Sequence, residues 1–382
     1  MTKLEVIGKA LAGSISWLQA AAICGCTARH MRRVRRRFEI FGKEGLLDGR
    51  SGLSRRRRIP EAIVSQVLRL RREIYTDFSI RHFHEHLRER HGLPVSYTFV
   101  RDLLQLRGLA DKCSGRGYYL RKRERRPMPG MLIHLDASMH EWVAELPPQD
   151  LVVAMDDADG RILFARFFAE EGVTSTMAAL LDVLRKHGRF SQLYTDRASH
   201  FCRTARAGEP PADEQHGQVT RVLRALGIEH LRAKTPEARG RSERCFGTLQ
   251  GRLPQELGLH GIGSYDAAAR YLEQRFIGDF NRRFSVRPRE SGSAFTALTG
   301  IDLELLVSAQ HDRVVQKDNT VVFERLFLQL PASAERAHYA RCPVLVHELV
   351  DGTLAVSFQG KPIGRFDRHG TPLAVRSSSR VA

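Results

Sequence analysis

The sequence predicts a multidomain chain: N-terminal all-α helix-turn-helix domains, a central α/β core and a small all-β C-terminal domain. Three observations carry this reading. The excess positive charge is confined to the first third, the first 130 residues read in helical periods, and from residue 131 short strands alternate with helices.

The charge segregation is the sharpest of the three. Residues 1–130 hold 29 Lys+Arg against 12 Asp+Glu, whereas residues 131–382 hold 32 against 31. A near-neutral body with a basic head points to a polyanion, nucleic acid before anionic membrane. The basic residues are 52 Arg and 9 Lys. Arg suits bidentate contacts to phosphate and guanine, although codon usage in a GC-rich genome gives the same ratio. The chain is 42% hydrophobic and 27% charged, which excludes collagenous, low-complexity and wholly disordered classes. Six scattered cysteines show neither a disulfide framework nor zinc spacing, so reduced thiols in a cytoplasmic protein are expected. Residues 10–28 carry no charge, but Gly13, Ser14, Ser16 and Gln19 interrupt any signal-peptide core. No other segment reads as a bilayer span.

Residues 1–50 read as a helix-turn-helix domain. Trp17 to Cys24 forms a short apolar helix, Gly25 supplies the positive φ of the turn, and Thr27 caps the next helix. Met31, Val34 and Phe38 share one buried face. Arg29, His30, Arg32, Arg33 and Arg36 occupy the others and are the expected DNA-reading residues. A helical hairpin with a solvated basic face is the structural alternative. Residues 51–59, with four consecutive arginines at 55–58, read as a basic linker.

Residues 60–111 read as a second helix-turn-helix domain, with helices at 60–74, 79–91 and 97–107. Leu87, Val100, Leu103, Leu104 and Leu109 form its core, Ser96 caps the last helix and Gly108 ends it. Tyr97, Thr98 and Arg101 stand where a recognition helix meets bases. His82, His84, His86 and His91 tempt a metal reading. His82 and His86 are one turn apart, but no complete ligand set accompanies them, so a helix surface is expected. Residues 112–130 read as a basic linker and hinge.

In 131–290 strands are expected at 131–138, 151–155, 162–169, 192–195 and 228–232. The Asp157–Gly160 turn joins the second and third strands. Helices follow at 174–187, 216–226, from 237, and at 264–281. Residues 291–309 read as a linker. Residues 310–382 read as a small β-rich domain with a hairpin turn at Asp351–Gly352.

Among 22 acidic residues of 131–290, three stand out by position. Asp136 and Asp196 each end a strand, and Glu243 lies early on the long helix between basic residues. Carboxylates gathered from strand ends and a packed helix repel one another unless cations neutralise them. All-oxygen donors select Mg²⁺ or Mn²⁺, and two such ions can activate a hydroxyl and stabilise a leaving oxygen of a phosphodiester. Arg239, Arg241 and Arg244 would hold the DNA backbone. Taken singly, Asp136 can cap a strand, Asp196 can pair with Arg197, and Glu243 can be a solvated helix residue. Asp156, Asp157 and Asp159 read as turn residues. Cys202 and Cys245 read as inert.

The strings TPEARGRSERCFGTLQGRL (235–253), LIHLDASMHEW (132–142) and LYTDRASHF (193–201) resemble the catalytic motifs of DDE transposases with a retroviral-integrase-like, RNase H-like core. The layout over residues 15–330 resembles the ISNCY group of bacterial insertion-sequence transposases. Ala137 stands where Gly is expected and Glu141 where Asp is expected. The resemblance implies that Asp136, Asp196 and Glu243 are the catalytic, metal-binding triad, with two Mg²⁺ or Mn²⁺ ions. It implies cleavage at terminal repeats, strand transfer into target DNA without a covalent enzyme intermediate, and a homo-oligomeric synaptic complex. A bacterial cytoplasmic, nucleoid-associated protein without membrane contact is expected. Two other classes remain open on the residues: a non-catalytic DNA-binding regulator descended from a transposase, and a structure-specific nuclease with the same core.

Overall fold

The computed structural model describes residues 3–46, 59–111, 123–196, 217–233, 240–332 and 336–373. They fall into two compact units, one ending at Leu70 and the other starting at Arg71.

The first unit contains α1 (Lys3–Leu11), α2 (Trp17–Ile23) and α3 (Ala28–Phe41). Ser16 and Gln19 form a capping box: Ser16 Oγ accepts from the Gln19 amide at 3.2 Å, and Gln19 Oε1 accepts from the Ser16 amide at 2.8 Å. Gly25 takes φ +62° in the turn, a conformation that a side chain resists. Thr27 Oγ1 accepts from the His30 amide at 3.2 Å and starts α3. Ala21 is buried between the helices beside Val6, Ile7, Met31 and Val34. This is the expected helix-turn-helix.

Helix α4 (Glu61–Glu73) leads into the second unit, followed by α5 (Ile80–Glu89) and α6 (Tyr97–Leu106). Ser79 and Ser96 cap α5 and α6 through the amides of His82 and Phe99. Residues 71–111 belong to the same compact unit as the central core.

The core is a five-stranded sheet in the order β3-β2-β1-β4-β5. Its strands are β1 (Leu132–His140), β2 (Gln149–Asp156), β3 (Ile162–Phe168), β4 (Gln192–Thr195) and β5 (Glu229–Arg232). The first three form an antiparallel meander, and β4 and β5 add in parallel. The parallel additions need crossovers, and α7 (Val173–His187) is the first of them. One face of the sheet buries Ile133, Leu135, Val152 and Ala154 against α7 and α8 (Gln218–Ala225). The other buries Leu151, Val153 and Met155 against α9 (Gly240–Gln250), α10 (Leu253–Leu259), α11 (Tyr265–Tyr271) and α12 (Ile277–Phe284). A π-helical turn over Leu272–Phe276 joins α11 to α12. The long helix expected from residue 237 is therefore two helices within the described residues. Gly251 and Arg252 separate them, and Pro254 sits in the first turn of the second, where a missing amide hydrogen costs no helix bond.

Asn281 of α12 closes one end of edge strand β3. Its Oδ1 accepts from the Ile162 amide and its Nδ2 donates to the Ile162 carbonyl, both at 2.8 Å.

The C-terminal region carries α13 (Leu303–Leu306) and seven strands: β6 (Ala309–Val314), β7 (Thr320–Phe323), β8 (Leu326–Gln329), β9 (Pro343–Glu348), β10 (Leu354–Phe358), β11 (Lys361–Phe366) and β12 (Pro372–Leu373). β12-β11-β10-β9-β6 form one sheet, and β7 and β8 form a hairpin. The expected all-α, α/β and all-β succession is what the chain adopts. No helix among the described residues is long and apolar enough to cross a membrane.

Candidate catalytic site and nucleic-acid interface

Alternation along β1 decides which side Asp136 faces. Ile133, Leu135 and Ala137 pack toward α7, so His134 and Asp136 project to the opposite face. Val153, paired with Asp136 in register, packs against Cys245, Phe246 and Leu249 of α9. Helix α9 therefore covers the face that bears Asp136.

The β1–β4 register pairs Leu132 with Gln192 and His134 with Tyr194. Carried two residues further, it sets Asp196 opposite Asp136. Neighbouring strands lie about 5 Å apart, so two carboxylates leave one face at one level. Asp136 is buried, and one of its oxygens accepts from the Ala137 amide at 3.0 Å.

Glu243 sits on the exposed flank of α9, beside a buried stripe of Ser242, Cys245, Phe246 and Leu249. Two turns further along that flank, Gln250 donates to Ser138 Oγ of β1 at 2.9 Å. The oxygens of Asp136, Asp196 and Glu243 do not all lie within 4.8 Å of one another. Register sets the two aspartates on adjacent strands, while Glu243 is carried by α9. The donor set is all oxygen, which fits a hard divalent cation. Cys245 is buried beside it, and burial followed by the charge of Asp136 pushes its thiol up to about 12. A thiol raised in this way is a poor nucleophile at neutral pH.

Asp157 is more than a turn residue. It is fully buried and accepts from His134 Nε2 at 2.7 Å, Arg123 Nη2 at 2.8 Å, the Arg126 amide at 2.7 Å and Arg241 Nη1. Burial opposes its ionisation, but the hydrogen bonds from His134, the Arg126 amide and Arg241 outweigh it and hold its carboxyl well below the ordinary range. Asp156 beside it goes the other way. Burial, with the charges of Asp159 and Asp157, pushes it up to about 6 against the hydrogen bonds from Gly130 and Ala158.

These contacts revise several expectations. Arg241, expected on DNA, is turned onto Asp157 and the Arg123 carbonyl. Residues 123–126, expected within a hinge, are fastened to the core through Asp157 and through Arg126 Nη2 to Gln192 at 2.8 Å. His134 is a packed residue against Tyr194, with ring centroids 5.0 Å apart.

On the basic surfaces, Arg29, His30, Arg32, Arg33 and Arg36 are all exposed on α3. Arg35, not singled out from the sequence, stacks over Trp17 at 5.3 Å and pairs with Glu39 at 2.6 Å. Tyr97 and Thr98 are exposed at the start of α6, whereas Arg101 is held by Asp102 at 2.8 Å. Arg244 is exposed on α9. Arg239 and Cys202 lie outside the described residues.

His82 and His86 are not a helix surface. Both are buried between α5 and α10, where Glu256 meets them. The sequence concealed this because the partner lies 170 positions away from His86. Around them, Arg252 makes a two-pronged contact to Glu85 at 2.7 and 3.1 Å, and Arg283 reaches the same carboxylate at 3.0 Å.

Comparison with known proteins gives the following. The helix-turn-helix domain family matches residues 2–58. The putative transposase y4bF of Sinorhizobium fredii (strain NBRC 101917 / NGR234) is 30% identical over 375 residues, covering 96% of this chain and 81% of that protein. The transposase for insertion sequence IS1202 of Streptococcus pneumoniae is 26% identical over 397 residues, covering 94% and 84%. Among solved structures, the HTLV-2 integrase catalytic core domain in complex with magnesium (trimeric form) matches 39% of this chain and 88% of its own, at 17% identity and a TM-score of 0.28. The simian T-cell lymphotropic virus intasome in complex with PP2A regulatory subunit B56 gamma matches 81% and 100%, at 14% identity and a TM-score of 0.36.

Proposed function

This chain belongs to the transposase family, and on that premise we propose that it cuts the ends of an insertion sequence and joins them to target DNA by metal-dependent phosphodiester chemistry. The observation that carries this reading is the placement of Asp136 and Asp196. The β1–β4 register, carried two residues past its last pair, supports a shared face and level for them, beneath the helix that bears Glu243.

In this reading Asp136, Asp196 and Glu243 hold two Mg²⁺ or Mn²⁺ ions, which would supply a nucleophilic water and charge stabilisation at the phosphodiester. Glu243 approaches from an exposed helix flank, so it joins the strand carboxylates when DNA and cations gather there. Arg244, one residue on and exposed, holds the DNA backbone, as does Arg239.

The α3 face of Arg29, His30, Arg32, Arg33 and Arg36 reads the terminal repeats, and Tyr97 and Thr98 with Arg101 form a second contact. The protein acts in the bacterial cytoplasm at the nucleoid, and a homo-oligomer pairs two element ends. The domain bounds follow: 1–50 and 60–111 for DNA recognition, 131–290 for chemistry and 310–382 for the β-rich module.

The test is a labelled element-end duplex scored for nicking and for joining to a second duplex. Asp136→Asn, Asp196→Asn and Glu243→Gln each abolish both steps and leave end binding intact. Nicking by Glu243→Gln at the wild-type rate refutes the assignment of the third carboxylate. Nicking without joining identifies a nuclease, and end binding by the wild type with no metal-dependent cleavage identifies a regulator.

A further inference from the structure

The buried cluster between α5 and α10 carries an inference independent of the catalytic reading. His82 and His86 are four residues apart and so share one helix face. Their Nε2 atoms lie 3.2 Å from each other, and 2.8 and 2.7 Å respectively from the same oxygen, Glu256 Oε1. Among the described residues, these are the one group of three His, Cys, Asp or Glu ligand atoms within 4.8 Å of one another.

We propose that His82, His86 and Glu256 form a Zn²⁺ site that staples helix α5 to helix α10, with water completing a tetrahedron.

The geometry admits the ion. A circle through the three atoms has a radius of about 1.7 Å, so a point about 2.0–2.1 Å from all three exists, matching zinc–nitrogen and zinc–oxygen bond lengths. Hydrogen bonding alone serves the cluster poorly. If both rings donate to Glu256, two N–H groups stand 3.2 Å apart. If one ring donates to the other, the acceptor ring has no proton left on Nε2 for the carboxylate beside it. A single cation at the apex takes all three lone pairs at once. Two imidazoles and a carboxylate are a zinc-type donor set, unlike the all-oxygen set of the triad.

The charges around the cluster are consistent with this. The nearby cations Arg252 and Arg283 are already engaged by Glu85. Arg90 stands 3.6 Å from Glu256 Oε2, the oxygen not used, and Tyr271 donates to that same atom at 3.3 Å. Tyr271 thereby orients the carboxylate.

The experiment uses the full chain, stripped with EDTA and titrated with Zn²⁺ against a chromophoric competitor, and separately with Co²⁺ as a spectroscopic probe. The expected result is one tight Zn²⁺ per chain and the visible bands of tetrahedral Co²⁺. Glu256→Gln and His86→Gln weaken Zn²⁺ binding about 100-fold or more and abolish the bands, while Glu243→Gln leaves both unchanged. Wild-type protein that takes up no Zn²⁺, or a Glu256→Gln protein that binds like wild type, overturns the proposal. Glu256→Gln keeps an acceptor oxygen for the imidazoles, so its fold survives even if a histidine variant unfolds. Circular dichroism checks this.

Discussion

Arg241 donates to the carboxylate of Asp157. That hydrogen bond ties the first turn of α9, two residues before Glu243, to the turn between β2 and β3. The same carboxylate holds Arg123, the Arg126 amide and His134 of β1. One buried side chain thus fixes the segment leading into the core, the strand of Asp136 and the helix of Glu243.

Asp157→Asn removes the negative charge from this junction and leaves the arginines without their counter-ion. Breaking a buried ionic cluster from one side costs about 3–5 kcal/mol. Urea unfolding of the variant should show a loss of about 3 kcal/mol. Cleavage should fall with it, because α9 loses its anchor. A change below about 0.5 kcal/mol would mean that the hydrogen bonds of Asp157 are energetically idle.

The two neighbouring carboxylates give opposite pH dependences. Asp157 is held below its ordinary value of 3.8, so its contribution is present at neutral pH and drains away as pH falls through about 4 and below. Asp156 is raised from 3.8 to about 6, so the folded state binds its proton more tightly. Its contribution is present below about pH 4 and is lost as pH rises toward 6. Wild-type stability should therefore fall steeply below pH 4, while Asp157→Asn should lose that limb and keep a reduced decline above about 4, since burial still raises Asp156 but the Asp157 charge no longer adds to it. Denaturation midpoints measured at half-unit intervals distinguish the two curves.

Much of this architecture was legible because it is local. The caps Ser96 and Thr27, the Gly25 turn, the Asp–Gly hairpin and the end of β4 just before Asp196 depend on neighbours within a few residues, and pattern reports them, whereas Asp136, expected at a strand end, lies in the middle of β1 (Leu132–His140). Asp157 looked like a turn residue because its backbone is one. Its partners come from residues 123, 126, 134 and 241, a set joined by folding rather than by spacing. His82 and His86 were hidden in the same way by Glu256. The break between α9 and α10 was masked by continuous helical periodicity.

The exposed arginines of α3 should behave differently from Arg241. Arg32→Ala or Arg36→Ala should weaken binding to element-end DNA and flatten the salt dependence by about one unit of slope for each phosphate no longer held. If the residue reads a base, its removal also costs about 1–3 kcal/mol. Arg241→Ala should instead lower stability and leave that slope unchanged. Binding isotherms from low to moderate salt separate these cases, and an unchanged slope in both α3 variants would remove that face from the interface.

Thr27→Ala deletes the oxygen that accepts the His30 amide. An N-cap loss costs about 1 kcal/mol, and here it falls at the start of the helix expected to enter the major groove. End binding should weaken more than overall stability does, because fraying displaces Arg29 and His30 first. Equal end affinity for variant and wild type would place the DNA-reading residues further along α3.

Asn281 imitates a sixth strand with one amide. By meeting both backbone groups of Ile162, it closes the start of β3 to any other chain that would add there by strand pairing. A strand from a second copy therefore finds the backbone groups of Ile162 already taken. A continuous sheet running from one copy into the next would make a joint of many backbone hydrogen bonds, and one side-chain amide blocks that route at this end.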